Sequence, residues 1–476
     1  MRESLKAIAL KGVFWSSVER FSVQVVQMLV MLVIARLLLP KDFGLIGMLA
    51  IFIAVAQSLV DSGFSQALIR KQDRTEEDNS TVFYFNIFVS VLIYLILFLI
   101  APLVAEFYNE PQLGPLMRAL CLTIVINSFS IVQRAIYTAA VDFKIQSKAT
   151  LAAAVVSGVI SISLALNGYG VWTLVWQQLI SSGISTLLLW RYSNWRPKLL
   201  YSWQSFRDMF SFGSKLMVSG LIDTIYNNIY QLVIGKLFSA SSLGHYSQAT
   251  TVASIPSSNI TNIIQRVTYP VLSIIQDDND RLRENYRKLL RMAAFVVFPM
   301  MCGLAGISRP LVRLLIGVQW DFAATLLIPI CFNIMWYPIH AMNLNLLQVK
   351  GRSDLFLRLE IIKKIIGFGI LAVSIPFGLI FMCYSQIATS IMCLIVNTYY
   401  TGKLIQAGLL LQMRDLSGTI VSSFIIFVII RFSIKLVDSE IWQIMIGIAT
   451  AFIYYLGVIR VFHFKELSYL LSIIKR

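Results

Sequence analysis

The chain has 476 residues, 57% of them hydrophobic and only 13% charged, whereas a soluble globular domain is about 45–50% apolar and 25% charged. Its 40 Lys and Arg against 24 Asp and Glu leave a formal charge of +16. These cations sit mainly in short segments between apolar runs, which the positive-inside rule explains, and this excludes a nucleic-acid partner as the reason for the charge.

A spanning helix needs about 20 mostly apolar residues, and stretches of that length recur from end to end. The first predicted span, Gly12–Leu39, is far longer than the 7–15-residue core of a cleavable signal peptide, so it reads as a retained helix. It is followed by Leu45–Ser65, Thr81–Val104, Leu116–Ala140, Thr150–Leu166 and Val171–Trp190. A basic, aromatic linker from Arg191 to Arg207 comes next, with Trp190, Trp195 and Trp203 expected at the headgroup layer. The second series is Met209–Phe238, Leu243–Ile264, Leu290–Ile307, Phe322–Val349, Leu355–Phe377 and Leu379–Tyr400, and a last pair is Leu416–Val437 and Trp442–Phe462.

The expected fold is therefore all-α and polytopic, with roughly fourteen transmembrane helices. Residues 1–200 and 201–405 form two six-helix lobes related by pseudo-two-fold symmetry, and residues 406–476 add two helices and a cytoplasmic tail. Roughly 26 cations fall on one side of this arrangement and about eight on the other, which predicts that both termini are cytoplasmic. The five cysteines have no paired or CxxC spacing, so neither a disulfide framework nor a metal site is indicated. No phosphate-binding loop or other cofactor motif is present in the sequence, so direct ATP hydrolysis is not expected to drive the protein.

The halves resemble each other. Leu32–Leu37 followed by Phe43-Gly44 matches Leu232–Leu237 followed by Leu243-Gly244 at one fixed offset, and Phe143–Ser147 is echoed by Lys350–Ser353. Parallel repeats with the substrate site between them are a recurring transporter plan.

The segments Gly12–Phe21, ARLLLPKDFGLIGM (Ala35 to Met48) and DSGFSQALIRKQDRTEEDNSTVFYFN (Asp61 to Asn86) resemble the polysaccharide transporters of the multidrug/oligosaccharidyl-lipid/polysaccharide exporter superfamily. Within it the likeness is to Wzx-type oligosaccharide flippases and colanic acid exporters. It continues through FGSKLMVSG (Phe212 to Gly220), LVIGKLF (Leu232 to Phe238) and LGHYSQA (Leu243 to Ala249). The resemblance implies a twelve-helix, two-lobed core with a central cavity and two added helices. It also implies export of an undecaprenyl-diphosphate-linked oligosaccharide, an O-antigen, capsule or exopolysaccharide repeat unit, across a bacterial inner membrane. One departure is Tyr230-Gln231, where similar proteins often carry an acidic residue.

Ionised side chains inside the bilayer cost about 2.5–3.5 kcal/mol on insertion scales, so they face a cavity or a partner. A lipid diphosphate needs donors to replace its water, and the candidate cavity cations are Arg20, Arg134, Lys215, Arg266, Lys363 and Lys364. Glu19, Asp223 and Glu360 are candidates for coupling to H+ or Na+. Snorkelling is the competing reading for Glu19, Arg20 and Arg266, and self-neutralisation within one helix for Glu360, Lys363 and Lys364. His340 follows Pro338 at a possible helix break, and a lone histidine is more often a satisfied core residue. Expected partners are the lipid-linked oligosaccharide, membrane lipids, a coupling ion, and polysaccharide polymerase or glycosyltransferase proteins. The alternatives are an ion-coupled drug or cation antiporter of the same superfamily, a lipid II flippase and, more remotely, a membrane glycan polymerase or ligase. A non-enzymatic transporter is the reading these residues favour.

Overall fold

The computed structural model describes residues 22–61, 63–71 and 73–462, and every regular element among them is a helix. The chain divides into two compact units after Gly244. The first holds α1 (Ser22–Leu37), α2 (Pro40–Asp61), α3 (Phe64–Arg70), α4 (Glu76–Tyr108), α5 (Leu113–Leu120), α6 (Leu122–Ser128), α7 (Ile131–Ala139), α8 (Phe143–Leu166), α9 (Trp172–Tyr192) and α10 (Trp203–Leu237). The start of α11 (Ala240–Ile274) also lies in it.

The second unit contains the rest of α11, α12 (Asn279–Gly306), α13 (Ser308–Ile316), α14 (Asp321–Ile334), α15 (Tyr337–Val349), α16 (Ser353–Ser374), α17 (Leu379–Ile405), α18 (Leu409–Ser433) and α19 (Glu440–Phe462). Among the described residues, seven segments are long and apolar enough to cross a membrane. An eighth is Leu113–Ser128 with Ile131–Ala139, bent by 44°. Ser22–Leu37 and Glu440–Tyr455 are apolar but shorter, while α9, α10, α11 and α16 are not counted on hydropathy and charge alone.

Short polar side chains start the helices. At α4, Thr75 Oγ1 accepts from the Asp78 amide at 3.2 Å while Asp78 Oδ2 accepts from the Thr75 amide at 2.9 Å, a reciprocal capping box. Lys71 Nζ closes on the same buried carboxylate at 2.7 Å. Asp142, Ser202 and Asp278 cap α8, α10 and α12 with a single side-chain acceptor each, for the amides of Lys144, Ser205 and Arg281. Proline stands inside α4, α11, α12 and α14; the Phe98 carbonyl freed by Pro102 accepts from Arg118 Nε at 3.4 Å, and the Phe295 carbonyl freed by Pro299 accepts from the Tyr455 hydroxyl.

The first unit buries a stripe of small residues on α8, including Ala153, Ala154, Ser157, Gly158 and Ser161, which lets neighbouring backbones approach closely. The sequence repeat has a structural counterpart. A Cβ on Gly44 would lie 1.6 Å from the Ala240 carbonyl oxygen, and one on Gly244 would lie 1.9 Å from the Pro40 carbonyl oxygen. Residues 40 and 44 thus meet 240 and 244 reciprocally, and only glycine permits this approach at either place.

Leu116–Ala140, expected as one span, is divided among α5, α6 and α7 with a bend of 44° after Ser128. Phe322–Val349 lies within one apolar span, Val318–Val349, with a short turn between α14 and α15 beside Pro338, where the sequence suggested a helix break. The linker is also shorter than expected, because α9 runs to Tyr192 and α10 begins at Trp203. Trp190 and Trp195 pack against an aromatic core with Phe64 and Phe83, and Trp190 Nε1 donates to the Phe129 carbonyl at 2.8 Å. Burial together with an acceptor for the indole thus holds Trp190 in that core, whereas Trp203 is 66% exposed.

Candidate functional site

Along α10 a polar residue recurs at every fourth position: Ser211, Lys215, Ser219, Asp223, Asn227 and Gln231. The first five are exposed and Gln231 is partly buried. Successive members lie about 6 Å apart along the axis, so the polar stripe winds slowly around the helix. Lys215 and Asp223 are separated by about 12 Å of axial rise. Charges exposed within a membrane helix are costly against lipid, so this stripe suits water or a polar ligand.

Arg134 sits on α7, just past the bend. Its Nη2 donates to Ser185 Oγ on α9 at 2.8 Å, Nε reaches Ser130 Oγ at 3.4 Å, and Gln146 Nε2 donates to the Arg134 carbonyl at 3.3 Å. The guanidinium is therefore oriented by two hydroxyls while remaining part-buried.

In the second unit, Lys363 Nζ lies 2.5 Å from Glu360 Oε1 within α16, so these two candidates are brought together as an ion pair. Lys364, next in sequence, is partly buried. Glu19 and Arg20 lie outside the described residues, as does the Arg266 side chain, whose backbone belongs to α11.

Sequence reading missed a polar spine on one face of α17, formed by Gln386, Ser390, Asn397 and Thr401. Gln386 Nε2 donates to the Tyr246 hydroxyl at 3.1 Å and its Oε1 accepts from Asn333 at 3.2 Å. Thr401 Oγ1 donates to Asn343 Oδ1 at 2.7 Å, and the amides of Asn343 and Gln412 exchange two hydrogen bonds of 3.1 Å. His340 lies between these ends, with Ser390 at one ring nitrogen and Asn397 at the other. The available signal was the helical spacing of the four polar residues, hidden because none is charged.

Among the described residues no group of three or more His, Cys, Asp or Glu could hold a metal ion. The five cysteines are free thiols. A cavity of about 570 Å³ in the second unit is apolar and is lined by Pro256, Phe295, Pro299, Ile430, Phe452 and Tyr455 among others. The polar and charged side chains described above lie on α10 and around α7, α16 and α17, not in that cavity.

The sequence pattern of the polysaccharide biosynthesis protein family matches residues 33–325. Lipopolysaccharide biosynthesis protein WzxC of Escherichia coli (strain K12) is 27% identical over 371 residues, 76% of this chain and 74% of WzxC. Teichuronic acid biosynthesis protein TuaB of Bacillus subtilis (strain 168) is 26% identical over 349 residues, covering 73% of this chain and 72% of TuaB. Among solved structures, the lipid II flippase MurJ in an inward closed conformation matches with a TM-score of 0.77 at 14% identity, covering 94% of this chain and 99% of MurJ. This last likeness establishes the shared membrane-helical fold. Because the family match spans more than half of its length, the chain belongs to the polysaccharide biosynthesis protein family.

Proposed function

We propose that the protein is a flippase that moves an undecaprenyl-diphosphate-linked oligosaccharide from the cytoplasmic to the periplasmic leaflet of a bacterial inner membrane. The observation that carries this reading is the exposed charged stripe of α10 in a member of a polysaccharide biosynthesis family. A glycan with a diphosphate needs hydrogen-bonding partners across the bilayer, and a stripe of hydroxyl, amide, ammonium and carboxylate groups supplies them.

In this reading residues 1–200 and 201–405 act as the two transport lobes and residues 406–476 as an addition to them. Lys215, Arg134 and Lys364, with Arg20, Arg266 and Lys363, bind the diphosphate. Asp223, Glu19 and Glu360 serve ion coupling, to H+ or Na+. Both termini are cytoplasmic, and polymerase or glycosyltransferase proteins act on the same lipid-linked unit before and after transfer. The protein performs no bond-making chemistry itself.

The test is to delete the protein from the cell that carries it and to analyse undecaprenyl-linked saccharides by mass spectrometry. A complete repeat unit should accumulate on the cytoplasmic leaflet while the surface polymer is lost. Unchanged polymer with no accumulated intermediate would sink the proposal.

A further inference from the structure

Phe98-Leu99-Ile100-Ala101-Pro102 in α4 and Phe295-Val296-Val297-Phe298-Pro299 in α12 each place a phenylalanine four residues before a proline. Proline has no N–H, so in each helix the phenylalanine carbonyl loses its intrahelical partner. In the first unit the replacement donor is Arg118 on α5. Its Nε reaches the Phe98 carbonyl at 3.4 Å, and its guanidinium lies 4.5 Å from the centre of the Phe98 ring. Arg118 is the sixth residue of α5, and the sixth residue of α13, the short helix that follows α12, is also an arginine, Arg313. That guanidinium is engaged with both carboxylate oxygens of Asp321, which Arg309 also approaches at 3.1 Å. The Phe295 carbonyl takes its donor from elsewhere: the hydroxyl of Tyr455 on α19, whose ring centre lies 5.0 Å from that of Phe295. In the second unit α19 thus fills the place that a neighbouring short helix fills in the first.

On either side of Pro299, α12 is fixed to its neighbours by close contacts. Toward its start, Arg287 donates twice to the buried Asp415 carboxylate of α18. At its end, a Cβ on Gly306 would lie 2.8 Å from Ile430 Cγ2 of α18, and one on Gly447 of α19 would lie 2.4 Å from Ile307 Cγ2. Glycine at both places lets an isoleucine of the neighbouring segment seat directly on backbone. Between these anchors the packing opens into the apolar cavity, to whose wall Phe295, Pro299, Gly303 and Tyr455 all contribute. A Cβ on Gly303 would meet nothing within 4 Å. Atoms that line such a space lack partners on one side, so moving this stretch of helix breaks few contacts. A missing backbone hydrogen bond and open space therefore coincide at one level of α12, which concentrates bending there, and the Tyr455 hydroxyl is a polar contact across it.

We propose that Tyr455 is a latch on a hinge in α12. While its hydroxyl holds the Phe295 carbonyl, the proline segment is fixed; when that hydrogen bond opens, α12 flexes at Pro299 into the adjoining cavity. The two added helices then have a role of their own, holding and releasing α12 rather than lengthening the bundle. The latch requires no particular transported substrate, so it stands or falls separately from the flippase reading.

The test is hydrogen–deuterium exchange of the full chain in lipid nanodiscs, read by mass spectrometry on peptides that contain Pro299 and, for comparison, on peptides that contain Pro102. Tyr455→Phe keeps the ring against Phe295 and removes only the hydroxyl. One ordinary hydrogen bond corresponds to about a two- to tenfold change in an opening equilibrium, so exchange around Pro299 should rise by about that factor, with the Pro102 peptides unchanged. Arg118→Met should reverse the pattern, raising exchange around Pro102 alone. Gly303→Leu, which puts a side chain into the cavity, should slow exchange around Pro299 below the parent's. Parent-like exchange around Pro299 in Tyr455→Phe overturns the latch, and so does a rise that extends equally to Pro102, which would report lost global stability. Should Tyr455→Phe not fold, Gly303→Leu decides by itself: exchange around Pro299 no slower than the parent's overturns the hinge.

Discussion

Lys215 and Asp223 share a stripe of α10 that also carries Ser219 between them, and both are exposed. A carboxylate placed there for ion coupling loses that capacity when it becomes an amide of the same shape. Asp223→Asn should accordingly reduce transport in reconstituted vesicles at unchanged melting temperature, with its dependence on pH or sodium flattened. Wild-type transport with the parent's ion dependence would remove Asp223 from the mechanism. Arg134 offers a sharper comparison. Charge-assisted hydrogen bonds contribute about 1.5–3 kcal/mol, so Arg134→Ala should weaken capture of an undecaprenyl-diphosphate glycan by about ten- to a hundredfold. Arg134→Lys should recover only part of it, because ammonium lacks the planar fork. Ser185→Ala, which removes only the orienting hydroxyl, should cost less than Arg134→Ala; equal binding by all three variants and the parent would exclude the guanidinium from the site.

Individual helices are held by interactions of different kinds. Arg287 on α12 donates twice to Asp415 on α18, at 2.6 and 2.7 Å, and the carboxylate is almost wholly buried. Removing one partner of a wholly buried pair costs about 3–5 kcal/mol, but Arg287 keeps a quarter of its side chain exposed, so Asp415→Asn should destabilise by about 2 kcal/mol. Thermal unfolding in detergent measures it, and a parent-like melting curve would show that the pair contributes nothing. The helix starts at Pro40 and Ala240 present a steric case. Gly44→Ala and Gly244→Ala should each perturb folding or expression, since the added methyl meets backbone oxygen rather than a movable side chain. The repeat on which this contact falls was legible in the sequence, because its glycines and helix starts keep one offset, while the contact itself was not. The bend after Ser128 within Leu116–Ala140 was not legible either, because apolar runs look continuous whether or not the helix bends, whereas Pro338 marked the interruption between α14 and α15. The capping box of Thr75 and Asp78 lay in plain sight within the quoted family segment, yet its role needed the reciprocal hydrogen bonds to be seen.

The molecule as a whole is a membrane-helical protein whose class follows from composition, while the arrangement of its polar side chains does not. Lys215, Asp223 and Arg134 stand out in sequence because charge is conspicuous in an apolar run. Gln386, Ser390 and Asn397 are uncharged, so their alignment along α17 emerges only when the helix is built. Cation placement also predicts topology: positions 74, 196 and 283 are cytoplasmic, and positions 111 and 438 are external. Single cysteines at these sites, probed with an impermeant thiol reagent on intact spheroplasts, should label only at 111 and 438. Labelling at 74 and 283 would reverse the orientation. The central claim is tested most directly by reconstituting the purified chain into proteoliposomes loaded in one leaflet with a fluorescent undecaprenyl-diphosphate oligosaccharide, and timing its arrival in the other. The flippase reading predicts transfer well above that of protein-free vesicles, reduced in Asp223→Asn and Arg134→Ala. Transfer no faster than in protein-free vesicles, with folded protein, an imposed proton or sodium gradient and the glycan made by the same cell, would contradict it.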